Sequence, residues 1–129
     1  DLLSLPLEER LTYQPEENLF CVNFEGYYVK TSRQIREIRR AVCDILDPVG
    51  RKVYTIVNYD NFNILPDLID EYTEVVKELV EKYYIKTTNY TSSAFARMKL
   101  GDALREKKVT PHMYETRKEA ENELKRTTP

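Results

Sequence analysis

Two short segments carry the groups best placed for chemistry. Asn58-Tyr59-Asp60-Asn61-Phe62-Asn63 sets five polar or phenolic side chains directly after the most β-prone run of the chain. Tyr90-Thr91-Ser92-Ser93 sets hydroxyls where a strand passes into a helix, with Arg97 one turn further on. In open parallel sheets, ligands gather beyond the carboxyl ends of the strands. A helix amino end adds free N–H groups and a positive dipole end, which together favour an anion. The candidate binding residues are therefore Asn58, Tyr59, Asp60, Asn61, Tyr90, Thr91, Ser92, Ser93 and Arg97. The competing and commoner role of such residues is to form turns and helix caps. Contact between Asp60 and Ser92 or Ser93 would allow a phosphorylation or hydrogen-bond switch.

Catalytic and metal-binding patterns are not expected. Asp67, Asp70 and Glu71 fall in a first helical turn, where acids are simply dipole-favourable. His112 is the single histidine and follows Pro111 at a strand start, as a structural imidazole would. Cys21 and Cys43 read as small, reduced, near-core thiols of a cytosolic protein. No CxxC or HxxxH spacing supports zinc. The three glycines stand at 26, 50 and 101, which removes dinucleotide and P-loop fingerprints. No nucleophile–base pair is apparent, so no catalytic residue and no cofactor are assigned.

Composition narrows the classes further. The chain has 129 residues, one domain's worth, with 41 % apolar residues, enough for a core. Its formal charge of -2 argues against a nucleic-acid binder. No apolar run approaches the roughly 20 residues that span a bilayer, and no secretory leader is evident. Residues 93–129 hold 9 basic and 6 acidic groups, a mild positive polarity that a solvated helical exterior would explain. The chain begins with Asp1, which suggests a processed protein or a piece of a longer one.

The elements that must position these groups follow from periodicity. Residues 1–10 read as an arm or linker from a preceding domain that needs something to pack on, and 11–126 as one domain. Leu11–Tyr13 and Leu19–Phe24, joined by the Pro15–Asn18 turn, predict a hairpin. Thr31 with Gln34 is a capping box opening a helix with Ile35, Ile38, Val42, Ile45 and Leu46 inward. Lys52–Asn58 predicts a central strand. Pro66 opens a long helix whose stripe runs from Leu65 to Tyr83. Ile85–Tyr90 predicts a strand, followed by a helix with Phe95, Met98, Ala103 and Leu104 inward. Pro111–Tyr114 predicts a short strand, and Thr116 with Glu119 caps a last helix. Alternating strands and helices imply a mostly parallel sheet of about five strands covered by about four helices.

Long segments add a family resemblance. Leu19–Tyr28, Val53-Tyr54-Thr55-Ile56-Val57-Asn58-Tyr59-Asp60-Asn61-Phe62, Thr88–Leu104 and Pro111-His112-Met113-Tyr114-Glu115 resemble the C-terminal extension of bacterial acyl-CoA:acetate/3-ketoacid CoA-transferases, some known as propionate CoA-transferases. The likeness runs from about Leu5 to Leu124, and the element order resembles a STAS-like, anti-sigma-factor-antagonist-like fold. The resemblance implies a non-catalytic accessory domain of an enzyme that moves coenzyme A from an acyl-CoA to a short-chain carboxylate. Coenzyme A thioesters would be substrates of that parent enzyme. Its glutamate, which forms a glutamyl-CoA thioester, belongs to the preceding transferase domains and has no counterpart here. The implied partners are those domains, in a cytoplasmic homo-oligomer without nucleic acid or membrane. The alternative is a free-standing STAS-like regulatory or small-ligand-binding module.

Overall fold

The hairpin at the start of the domain forms as the turn chemistry requires. Strands β1 (Leu11–Gln14) and β2 (Leu19–Asn23) pair antiparallel, and Asn18 takes the left-handed conformation with φ 51°. The computed structural model describes residues 5–109 and 113–127. After β2 come β3 (Tyr28–Val29), α1 (Ser32–Leu46), β4 (Val53–Asn58), β5 (Asn63–Ile64) and α2 (Ile69–Tyr83). Then follow β6 (Tyr84–Tyr90), α3 (Ala94–Glu106), β7 (Met113–Tyr114) and α4 (Arg117–Thr127). Pro111 and His112, expected to open the last strand, lie outside the described residues.

The main sheet has the order β1-β2-β4-β6-β7, parallel throughout except at β1. The chain is thus α/β, with a mostly parallel five-stranded sheet and four helices. Each crossover moves one strand further in the same direction. Crossovers of a single hand then place their helices on one face, and α1, α2 and α3 share one core. Phe20, Val22, Val53 and Val57 meet Ile35, Ile38, Val42, Leu46, Tyr72, Leu79 and Leu104 there. Helix α4 covers part of the other face, where Ala120 and Leu124 pack on Ile56 and Tyr90. A sheet that never reverses direction has no switch-point crevice of the doubly wound kind.

Local chemistry fixes the helix ends. Thr31 and Gln34 form the reciprocal capping box, and Thr116 with Glu119 repeats it at α4. Gly50, at φ 71°, turns the chain out of the α1 region into β4. Pro66 opens a 3-10 turn, Pro66–Leu68, and α2 proper starts three residues later. Leu65 therefore stands outside the buried stripe, 37 % exposed.

Three features depart from the sequence reading. Strands β3 and β5 have no counterpart in the sequence reading; two residues each, they pair as a separate parallel ribbon. Phe95 and Met98 do not face inward: they are 66 % and 58 % exposed. The buried residues of α3 are Leu100, Gly101 and Leu104. At about 100° per residue, Phe95 lies nine positions, half a turn in projection, from Leu104. Both cannot face one core. Finally, Arg10 is buried. It donates to the carbonyls of Leu5 at 3.0 Å, Asn23 at 3.2 Å and Glu25 at 2.7 Å, and lies 5.0 Å from the Tyr27 ring centre. Burial lowers its pKa, against the pull of Tyr27 and Glu25. The described part of the arm is thus fastened to the β1–β2 end of the sheet.

Candidate functional site

The loop after β4 is built by its own side chains. Asn58 Oδ1 accepts the Asp60 N–H at 2.8 Å, an Asx turn. Asn58 Nδ2 donates to Asn23 Oδ1 and Glu25 Oε1, both at 3.2 Å. Asn61 holds φ 53°, which asparagine tolerates better than most residues. The Tyr59 N–H donates to the Tyr90 carbonyl at 2.9 Å, carrying the β4–β6 pairing one step beyond the strand ends.

The second loop is built the same way. Ser93 Oγ accepts the Ala96 N–H at 3.1 Å and caps α3. Thr91 Oγ1 accepts the Ser93 N–H at 3.3 Å, and the Thr91 N–H donates to the Tyr114 carbonyl at 3.0 Å. Arg97 reaches back to donate to the Thr91 carbonyl at 2.8 Å. The two loops do meet. Asp60 Oδ1 accepts the Ser92 backbone N–H at 2.6 Å, so the carboxylate sits beside the α3 amino end. The contact uses the Ser92 amide and not its hydroxyl.

Of the predicted binding groups, several are not accessible. Tyr59 is buried, and its hydroxyl lies 2.7 Å from that of Tyr72 in the core. Burial pushes both phenols up, so each stays protonated well into the alkaline range. Tyr90 is buried under α4, with a pKa raised by burial and partly offset by Arg117. Thr91 is fully enclosed. Asn61, Ser92 and Ser93 are exposed, while Asn58, Asp60 and Arg97 are half-buried.

The open space is bounded in part by these loops, through Tyr59, Asn61, Phe62, Asn63 and Ser93. A cleft of about 310 Å³ runs between the β4–β5 loop, the start of α2 and the first turns of α3. Phe62, Ile64, Pro66, Ile69 and Leu100 give it apolar walls. Asn61, Asn63, Ser93 and Lys99 supply its polar groups. The Lys99 Nζ lies 5.4 Å from the Phe95 ring centre, and Lys99 has no ion pair among the described residues. Sequence reasoning missed Phe95, Lys99 and Pro66 as site residues. The available signal was angular: a helix anchored by Leu100 and Leu104 must turn Phe95 and Met98 away.

Among the described residues, no group of three or more His, Cys, Asp or Glu side chains is placed to hold a metal ion. Cys21 and Cys43 are free and half-buried; burial pushes the Cys21 thiol up, away from a reactive thiolate, despite nearby Arg117. No described helix is long and apolar enough to cross a membrane. Comparison with protein-family models, curated proteins and solved structures found no match.

Proposed function

We propose that this chain is a non-catalytic C-terminal accessory domain of a CoA-transferase that moves coenzyme A between an acyl-CoA and a short-chain carboxylate. Its work is assembly: it links its own transferase domains to a neighbouring subunit of a cytoplasmic homo-oligomer. One observation carries the reading. The arm is fastened by Arg10 at the β1–β2 end of the sheet, while exposed Phe95 and Met98 stand on α3 at the β7 end. A domain held at one end with large apolar side chains in water at the other is suited to bridging. The sequence resemblance supplies the enzyme class, and the parent enzyme supplies the glutamate and the coenzyme A thioesters. The test is to delete residues 5–126 from the intact transferase and measure its mass by light scattering and its turnover. A smaller assembly or altered turnover is expected. An unchanged assembly with unchanged turnover overturns the proposal, as does a native polypeptide of 15.3 kDa.

A second reading, a module that binds a small regulatory ligand, is favoured by the cleft between the β4–β5 loop and α3. Its polar rim includes Asn61 and Ser93, two of the candidate binding residues.

A further inference from the structure

We infer that the cleft between the β4–β5 loop and α3 takes a small planar aromatic anion, its ring against Phe95 and Pro66 and its charge toward Lys99. This rests on the second reading, that the cleft holds a ligand. Three observations define the class. The first is size. About 310 Å³ lies at the lower end of the roughly 300–1,000 Å³ typical of small-molecule sites. That admits a one- or two-ring compound and excludes a whole dinucleotide.

The second is the wall. Ile64, Pro66 and Leu100 line it with apolar surface, and Phe95, also in the lining, is 66 % exposed. An exposed phenylalanine face is a stacking surface for another ring. The third is charge. Like most lysines of the chain, Lys99 has no ion pair among the described residues; unlike them, it lines the cleft, and it lies over the Phe95 ring. A cation at an apolar mouth with no internal counter-charge complements an anionic substituent on the bound ring. The amides of Asn61 and Asn63, also in the lining, offer further hydrogen bonds.

The test is an amide NMR titration of the 129-residue chain with three probes: indole-3-acetate, the isosteric neutral indole-3-acetamide, and acetate. Indole-3-acetate should give saturable shifts at Asn61, Asn63, Ala96 and Leu100, with a Kd on the order of 1 mM for so small a ligand. The acetamide should bind several-fold more weakly, and acetate should leave those signals unmoved. Lys99→Gln, a change at an exposed side chain, should weaken indole-3-acetate about three- to fivefold, as loss of an exposed charge pair does. Ala96→Phe, which fills the cleft, should abolish the shifts. Equal binding of acid and amide would overturn the anion and leave the ligand-binding reading standing. Equal binding of acetate would overturn the ring. Shifts from none of the three, or shifts elsewhere on the surface, would overturn both the inference and the reading beneath it.

Discussion

Helices α1 and α3 begin alike and end in different roles. Each is opened by a hydroxyl that accepts an N–H of the first turn, Thr31 in one and Ser93 in the other. Each contributes to the same core, Ile35, Ile38, Val42 and Leu46 from α1, Leu100 and Leu104 from α3. In α1 the largest apolar side chains all turn inward, and the outer face carries arginines paired with Glu37, Asp44 and, across to α2, Glu78. In α3 the largest apolar side chains, Phe95 and Met98, turn outward. Scattered exposed apolar residues are ordinary in monomers. Here two stand three positions apart on one helix, and Phe95 lines the cleft.

The largest expected contrast lies in the apolar residues themselves. Ile38→Ala in α1 should lower unfolding free energy by about 2–5 kcal/mol, because a cavity opens in a closed core. Urea denaturation measures it. Below the cleft, Tyr59→Phe should cost about 1–2 kcal/mol, since the buried Tyr72 hydroxyl loses its partner. That change should leave binding in the cleft intact, because the Tyr59 hydroxyl points into the core. It should also alter the pH profile. A phenol raised above its unfolded value near 10 keeps its proton in the fold while the unfolded chain releases it. Its stabilisation is complete below about pH 10 and is lost as pH rises beyond it. Urea midpoints between about pH 9 and 11 should fall less steeply for Tyr59→Phe than for the parent chain.

The caps should behave alike in the two helices: Thr31→Ala and Ser93→Ala each remove about 1 kcal/mol. A much smaller loss at Ser93 would mean that α3 is held chiefly from outside. Smallest of all, Phe95→Ser with Met98→Ser should change stability by no more than about 0.5 kcal/mol. Under the proposed bridging role, the same pair should nonetheless yield a smaller transferase assembly by light scattering. A large loss of stability in the isolated chain would erase the contrast with Ile38.

The fold was legible where patterns are local and repeated. Alternating strands and helices, the Thr31–Gln34 and Thr116–Glu119 boxes and the left-handed Asn18 all follow from residue type and spacing. Strand β5 was hidden because two residues carry no period and its partner, β3, is equally short. The burial of Arg10 was hidden because a carbonyl cluster formed by Leu5, Asn23 and Glu25 exists only after folding. The site was half legible. Loop chemistry picked out segments that do meet, through Asp60 and Ser92. Those groups form the turns and caps that the same reading gives as their commoner role, and Asn61 and Ser93 also line the cleft. The open surface adds apolar residues such as Phe95 to those polar groups, and an apolar residue on a helix is read as core until its angle to the true core is fixed. Residue type alone therefore points Phe95 and Met98 inward, where the structure turns them out.

The decisive measurement is hydroxyl-radical footprinting of Phe95 and Met98, in the 129-residue chain alone and in the transferase assembly proposed for it. Bridging by α3 predicts that both side chains are modified rapidly in isolation and are strongly protected in that assembly, with buried Ile38 unreactive in each. Equal reactivity of Phe95 and Met98 in the two would contradict it.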